Sequence, residues 1–181
     1  MIIRHAVPED SRAIATIHVR SWQAAYDGLL PGELLASLSI DAREASRREQ
    51  LTHARPDQRV WVVERGDRVI GFAATGESRD LDPPAAETGE VYAIYLEPDA
   101  YGTGAGRALF DRALADLRDR GYREAVVWVL ESNARARRFY EAAGMHADGF
   151  TKLDEMDGFP LAEVRYRLAL ITTPPRAGSG R

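Results

Sequence analysis

Cysteine is absent from this chain of 181 residues. Without it the chain can form no disulfide framework and no thiolate metal cluster, and it cannot carry an acyl group on a cysteine. A protein that needs no oxidised thiols is most simply a reduced one, so we expect a cytoplasmic location.

Lysine is nearly absent too, since 23 of the 24 basic residues are arginine and Lys152 is the single lysine. The formal net charge of −4 disfavours a broad nucleic-acid face, because neutralising phosphates needs a local excess of positive charge. The longest purely apolar run, residues 125–130, is far too short to cross a bilayer, and residues 1–10 have no apolar signal core. We therefore expect no nucleic-acid partner, no membrane segment and no export.

Apolar residues make up 45% of the chain and charged residues 29%, which is typical of a globular protein. The length suits one hydrophobic core rather than two. We predict a single domain over residues 1–171, followed by a disordered tail at 172–181 that is rich in proline, glycine and serine.

Hydrophobic periodicity and the positions of glycine and proline predict an alternation of helices and strands. The predicted strands are 2–5, 60–64, 69–74, 90–96, 125–130, 146–153 and 161–171. The predicted helices are 10–26, 31–37, 41–53, 106–120 and 133–143, and residues 79–88 are expected to form a loop. The strand at 125–130 lacks polar alternation, which indicates burial on both faces and a parallel neighbour.

Three alternating glycines, Gly102, Gly104 and Gly106, lie between a predicted strand and a predicted helix. Glycine lets the backbone approach an anion closely, and the unpaired N–H groups of the first helical turn would point at it, so the loop suits a pyrophosphate. A plain glycine-rich turn is the alternative. A Rossmann fingerprint would need glycine at Arg107, and a Walker loop would need Gly-Lys-Ser/Thr, so neither fits.

A second pattern, Asn133-Ala-Arg-Ala136-Arg-Arg-Phe139-Tyr140-Glu-Ala-Ala-Gly144-Met145, follows the buried strand. Asn133 could form hydrogen bonds at the end of that strand, and Tyr140 lies two helical turns further along the same face. Taken by itself, the segment is as readily a capped helix with an aromatic anchor.

The two patterns together resemble the GNAT superfamily of N-acetyltransferases, in which a Gln/Arg-x-x-Gly-x-Gly/Ala loop precedes Asn-x-x-Ala-x-x-Phe-Tyr-x-x-x-Gly-Phe. Gly104 and Gly106 match the first pattern, while Tyr101 replaces Gln/Arg and Met145 replaces Phe in the second. The resemblance covers nearly the whole chain up to residue 171. It implies an α/β (α+β) fold with a mixed, mostly antiparallel sheet of six to seven strands, flanked by helices and splayed between two central parallel strands.

The resemblance also implies that acetyl-CoA is the co-substrate and inserts in the splayed gap. The backbones of Ile94 and Leu96 would bind the thioester carbonyl and the pantetheine, and Asn133 would bind the pantetheine arm. The pyrophosphate would lie on the loop formed by Tyr101, Gly102, Thr103, Gly104, Ala105, Gly106 and Arg107. Tyr101 offers no side-chain match to the family pattern there, but the backbone amides remain.

By the same resemblance, Tyr140 is the general acid that faces the sulfur, and Glu90 is a candidate general base. Strict alternation would place Glu90, Tyr92, Ile94 and Leu96 on one face of their strand, although a bulge would change this. The alternative for Glu90 is a solvated charge at a strand end.

Trp22 and Tyr26, one turn apart near the end of the first helix, could line an acceptor pocket together with Tyr92. Aromatic residues at this spacing are otherwise core residues. The four histidines show no metal-ligand spacing, so we predict no metal site.

These observations predict an enzyme that transfers an acetyl group from acetyl-CoA to a primary amine. The absence of cysteine favours direct transfer, in a ternary complex of the enzyme with both substrates. A non-catalytic acyl-CoA sensor and a nucleotide-binding α/β protein are the alternatives. The acceptor could be a small molecule or a peptide amine, and the oligomeric state is open, a homodimer included.

Overall fold

The computed structural model of the chain describes residues 1–53, 55–80, 87–156 and 158–170. Seven strands form one sheet in the order β1-β2-β3-β4-β5-β7-β6. The strands are β1 Ile2–His5, β2 Arg59–Arg65, β3 Arg68–Glu77, β4 Thr88–Leu96, β5 Glu124–Leu130, β6 His146–Met156 and β7 Phe159–Ala169. The helices are α1 Ser11–Ala25, α2 Gly32–Ser37, α3 Ile40–Thr52, α4 Ala105–Asp119 and α5 Ala134–Ala142, with short 3₁₀ turns at Pro8–Asp10 and Pro98–Ala100.

This architecture confirms the predicted fold class. All neighbouring strands pair antiparallel except β4 and β5, which are parallel. The predicted elements are present with small differences at their ends. The largest differences are in β3, which continues to Glu77, and in β6 and β7, which extend towards each other as a long hairpin because Met156 pairs with Phe159. The predicted tail at 172–181, and residues 81–86 of the predicted loop, lie outside the described residues.

The parallel pairing of β4 and β5 is short. Only Thr88, Gly89 and Glu90 of β4 pair with β5, opposite Glu124, Ala125 and Val126. Beyond Glu90 the two strands separate, so the backbone groups of β4 that face β5 have no ladder partner there. The predicted splay is thus confirmed, and it leaves hydrogen-bonding groups that a bound molecule can satisfy.

A bulge in β4 makes the strict alternation along this strand wrong. Ala93 pairs with Ala74 and Val91 pairs with Thr75, so Tyr92 is an extra residue without a partner on β3. As a result Val91, Ile94 and Leu96 pack towards α4, whereas Ala93 packs with residues of α1. Glu90 therefore does not share a face with Ile94 and Leu96.

Hydrophobic clusters cover both faces of the sheet. On one face α4 and α5 contribute Phe110, Leu114, Leu117 and Tyr140, which pack on Val127 of β5. On the other face the apolar stripe of α1 packs on β2 and β3, and the end of α1 packs with α2 and the end of β5. The two layers of helices thus leave the splay open only at the ends of β4 and β5.

Within the described residues, no helix is long and apolar enough to span a membrane.

Candidate active site

A cavity of about 470 Å³ opens where β4 and β5 separate. Its walls come from both strands, from the loop before α4, from the starts of α4 and α5, and from the end of α1. Most of the predicted site residues line it: Trp22, Tyr26, Glu90, Tyr92, Ile94, Leu96, Tyr101, Gly102, Gly104, Gly106, Arg107, Asn133 and Tyr140. Residues that are far apart in the sequence therefore meet around one opening.

The glycine loop forms one end of the cavity. Gly102 and Gly104 have φ values of 73° and 86°, in the left-handed region that glycine adopts without strain. Gly104 is the N-cap of α4 and provides no side-chain cap, so the first-turn N–H groups stay open to an anion. Gly106 is needed for a different reason, because a Cβ there would lie 3.2 Å from a Leu96 methyl carbon.

The side chains of the other loop residues are occupied elsewhere. Arg107 forms an ion pair with Asp111 at 2.8 Å, and the Thr103 hydroxyl accepts a hydrogen bond from Arg65 at 3.0 Å. Ala105 is fully buried under the loop. This end of the cavity can therefore offer mainly backbone N–H groups to a ligand.

Tyr101, which departs from the family pattern, has a cationic neighbour. The guanidinium carbon of Arg135, at the start of α5, lies 3.6 Å from the centroid of the Tyr101 ring. Both residues line the cavity. Their stacking places a positive charge at a position where the sequence pattern offered none.

Asn133 connects α5 to the cavity. Its side-chain oxygen accepts the Ala136 N–H at 3.0 Å and so caps α5, as its position in the sequence predicted. Asn133 and Tyr26 both line the cavity, so the end of α1 and the start of α5 meet at the edge of the splay.

Tyr140 is buried on α5 with 6% of its surface exposed. Phe110 and Phe139 pack around its ring at centroid distances of 5.6 and 5.4 Å. Burial raises the pKa of Tyr140 above its ordinary value, so the phenol is protonated at neutral pH. A neutral phenol in a cavity wall can donate its proton to a leaving group.

Glu90 is 1% exposed and is held by Arg79. The Arg79 backbone N–H donates to Glu90 Oε2 at 3.0 Å, and the guanidinium donates to both carboxylate oxygens. Tyr92 packs beside this pair, with the Arg79 guanidinium carbon 4.6 Å from its ring centroid. The Tyr92 hydroxyl donates to the Glu77 carbonyl at 2.5 Å, so Tyr92 and Arg79 together enclose Glu90.

Trp22 and Tyr26 belong both to a hydrophobic cluster and to the cavity wall. Their rings meet edge to face at a centroid distance of 4.9 Å. The Trp22 Nε1 is buried beside Tyr95 without a hydrogen bond of normal geometry to any described residue. Burial raises the pKa of Tyr26, which keeps its hydroxyl protonated.

The sequence reasoning missed a group of cavity residues from β4, β5 and the β6–β7 hairpin: Tyr95, Trp128, Lys152, Asp154 and Glu163. Glu163 pairs with Lys152 at 3.1 Å, and the ammonium of Lys152 lies 4.4 Å from the centroid of the Trp128 ring. Glu163 enters the site because it lies opposite Leu130 in the pairing of β5 with β7. No local sequence signal identifies such a long-range register.

No cluster of three or more potential metal ligands occurs among the described residues.

The fold and the cavity define a class of protein, one with a mixed sheet splayed between two parallel strands and a glycine-rich loop at the start of a helix. Residues 13–145 match the model of the acetyltransferase (GNAT) family. An uncharacterised N-acetyltransferase from Bacillus subtilis, YuaI, is 35% identical over 167 residues, which are 91% of this chain and 88% of that relative. The chain therefore belongs to the GNAT acetyltransferase family.

Solved structures show the same fold. An N-acetyltransferase from Staphylococcus aureus has a TM-score of 0.69 and 25% identity, with 94% of this chain and 98% of that chain covered. The putative acetyltransferase yncA from Salmonella typhimurium, whose structure contains its cofactor acetyl-CoA, has a TM-score of 0.69 and 24% identity, with 98% of each chain covered.

Proposed function

We propose that this protein transfers the acetyl group of acetyl-CoA directly to a primary amine, with both substrates bound at the same time. The observation that carries the proposal is the cavity at the splay, because it joins an anion-binding loop, an unpaired strand edge and the protonated Tyr140. Each of these suits a different part of acetyl-CoA: the pyrophosphate, the pantetheine amides and the thioester sulfur.

The residues around the cavity fit this co-substrate. Amides of the loop at 102–107 would bind the pyrophosphate, and Arg135 on Tyr101 would add one cation. The edge of β4 at Ile94 and Leu96 has no ladder partner on β5, and it would hydrogen-bond to the pantetheine much as another strand would. The Leu96 carbonyl also accepts a hydrogen bond from the Ser21 hydroxyl at 2.6 Å. Asn133 would contact the pantetheine arm from the opposite side of the splay.

The chemistry follows from this placement. When bound, acetyl-CoA supplies an activated acyl carbon. The amine nitrogen forms a bond to that carbon while a backbone N–H of β4 stabilises the developing oxyanion. As the C–S bond breaks, Tyr140 gives its proton to the departing sulfur, and the amine loses a proton to a base.

Glu90 is the proposed base, and its ion pair with Arg79 determines how it would accept the proton. Because Arg79 occupies both carboxylate oxygens, Glu90 would accept the proton through bound water rather than by direct contact with the amine. Glu163 is a second candidate, since it lies on the cavity wall and forms an ion pair with Lys152. The two carboxylates differ in position, so separate variants distinguish them.

Release of CoA from acetyl-CoA in the presence of a panel of amines tests the proposal. Binding of acetyl-CoA followed by amine-dependent CoA release supports it. Binding without any turnover would favour a non-catalytic acyl-CoA sensor, and tighter binding of NAD or ATP than of CoA would favour a nucleotide-binding protein.

A further inference from the structure

Lys152 is the single lysine of the chain, and it lines the cavity at the splay. Its ammonium lies 4.4 Å from the centroid of the Trp128 ring and forms an ion pair with Glu163 at 3.1 Å. Trp128 and Glu163 line the same cavity. The Lys152 side chain is 36% exposed, so it is not sealed in the protein interior. A primary amine of the chain itself therefore borders the space in which the proposed reaction needs an amine.

Strand register determines the face of the sheet on which Lys152 lies. Lys152 is opposite Glu163 of β7, and Glu163 is opposite Leu130 at the end of β5. Residues directly opposite each other on neighbouring strands project from the same face of a sheet. Leu130 packs with Trp22 and Tyr26 in one hydrophobic cluster. Lys152 therefore shares a face of the sheet with the two aromatic residues that are expected to line an acceptor pocket.

Tyr140 lies on the other face. It belongs to the hydrophobic cluster that contains Val127 and Val129 of β5, and these side chains alternate along the strand with that of Leu130. A thioester in the splay would thus have the proposed general acid on one side and Lys152 on the other. This arrangement suits acetyl transfer, because the attacking nitrogen and the proton donor for the sulfur approach the thioester from different directions.

We infer that Lys152 is itself an acceptor, and that each protein molecule acetylates this side chain in its own cavity. This inference rests on the proposed acetyl transfer and adds a modification site to it. An acetylated lysine carries no charge, so the modification would also remove the ion pair between Lys152 and Glu163.

The reaction balances with the groups present and acetyl-CoA. The Lys152 ammonium loses one proton to Glu163, which passes it to water, and the neutral Nζ forms a bond to the acyl carbon. The nitrogen then loses a second proton to water. The C–S bond breaks, and the sulfur receives a proton from Tyr140, which regains it from water. The products are acetylated Lys152, CoA and one proton.

Incubation of the purified protein with acetyl-CoA, without any added amine, tests the inference. Intact-mass measurement counts the acetyl groups, and peptide mass spectrometry locates them. The amine of Met1 is an internal reference, because Met1 is exposed and precedes β1, which lies at the opposite edge of the sheet from β6. An α-amino group is ordinarily less basic than a lysine side chain, so uncatalysed acetylation favours Met1. We expect Lys152 to react faster than Met1 by ~100-fold or more, the lower end of what acid–base catalysis contributes.

Controls separate catalysis in the cavity from direct chemical acetylation. In urea-unfolded protein the preference for Lys152 over Met1 should disappear. Excess CoA should slow the acetylation of Lys152 in the folded protein, because CoA competes for the site of acetyl-CoA. Lys152→Arg keeps a cation beside Glu163 but has no amine to accept the acetyl group, so the rapid mass increase should be lost. The half-time for Lys152 should not depend on protein concentration, since the amine and the cavity belong to one molecule.

Three results would overturn the inference. The first is a folded parent protein that gains no acetyl group on Lys152. The second is acetylation of Lys152 at the rate found for the unfolded chain. The third is a half-time that shortens in proportion to protein concentration, which would assign the reaction to encounters between molecules.

The number of CoA molecules released separates this inference from the proposed function. Acetylation of Lys152 releases one CoA per protein molecule and then stops, whereas transfer to an added amine continues over many turnovers. Continued release with unmodified Lys152 would overturn the inference and leave the transfer proposal standing. Release that stops at one CoA per molecule, with the acetyl group on Lys152, would support the inference and contradict transfer to the added amines.

Discussion

At the scale of a single residue, Tyr140 provides the clearest test of the proposed mechanism, because it is the proposed general acid. Tyr140→Phe removes only the hydroxyl, so packing with Phe110 and Phe139 should survive and acetyl-CoA should still bind. We expect turnover to fall by about 10²–10⁴-fold, the usual contribution of a general acid. Steady-state rates measure this effect. Tyr122→Phe, which changes a phenol outside the cavity, should keep the parent rate, and equal rates for both variants would leave Tyr140 a packing residue.

The two candidate bases, Glu90 and Glu163, differ in the pH–rate profile that we expect when each is replaced. A lysine-like amine with a pKa of about 10.4 is almost fully protonated at pH 7, so it depends on a base more than an α-amino group with a pKa near 8. Glu90→Gln should therefore slow strongly basic acceptors most and shift the pH–rate profile upward, because deprotonation in solution replaces the enzyme's base. The pH–rate profiles of the parent protein and of Glu90→Gln, each measured with two acceptors of different basicity, test this prediction.

Glu163→Gln is the matched comparison for that experiment. If Glu90 is the base, Glu163→Gln should leave the shape of the profile unchanged. A shifted profile in the Glu163 variant and a parent-like profile in the Glu90 variant would instead assign the role to Glu163. In that case the ion pair with Arg79 would make Glu90 a structural residue that fixes the segment after β3.

At the scale of an element, we predict that the start of α4 binds the pyrophosphate of the co-substrate. Gly104→Asp places a negative charge where the pyrophosphate is expected, and a Cβ at this position meets no other atom within 4 Å. CoA affinity should therefore collapse while the fold survives. Gly104→Ala is the control, because it adds the same left-handed strain of about 1–2 kcal/mol without the charge. Isothermal titration of both variants separates charge from strain, and CoA binding to the aspartate variant at parent affinity would contradict the site.

Two features of the sheet, the bulge in β4 and the register of the β6–β7 hairpin, determine which side chains reach the cavity. The bulge at Tyr92 reverses the inward and outward faces of β4, so Glu90 meets Arg79 while Ile94 packs towards α4. The β6–β7 hairpin brings Lys152 and Glu163 to the cavity by its register. Alternation along one strand predicts neither arrangement, because each depends on which residue of the next strand lies opposite.

For the whole molecule, the partly buried His18 predicts a loss of stability in mild acid. Its pKa is about 3 in the folded protein and about 6.5 in the unfolded chain, because burial and then Arg43 and Arg47 disfavour the charged form. Below pH 6.5 His18 binds a proton in the unfolded chain but stays neutral in the folded protein, so the free energy of unfolding decreases as the pH falls. The free energy of unfolding should drop by about 2 kcal/mol from pH 7 to pH 5.

Urea unfolding at several pH values measures this slope. His18→Phe keeps a ring against Tyr95 without a titrating group, and it should flatten the slope. His5, whose pKa is also lowered by burial, adds to the slope with the same sign, and His5→Gln isolates that part. A full slope in the His18 variant would contradict the prediction.

The sequence by itself determined those features that depend on neighbours along the chain. The glycines of the anion loop, the Asn133 cap, the parallel strand before it and the position of Tyr140 follow from local conformational preference and from the spacing of two family motifs. These features sufficed to predict the fold class and the family, because backbone preference and helical periodicity act over a few residues.

Only the tertiary structure determined which neighbours each charged side chain contacts. Arg79 on Glu90, Arg135 on Tyr101, Glu163 in the cavity wall, and Arg43 and Arg47 against aromatic rings each join residues from different elements. Side-chain electrostatics depend on burial and on distances of a few ångströms between such elements. Spacing along the chain does not determine those distances, so only the fold shows these contacts.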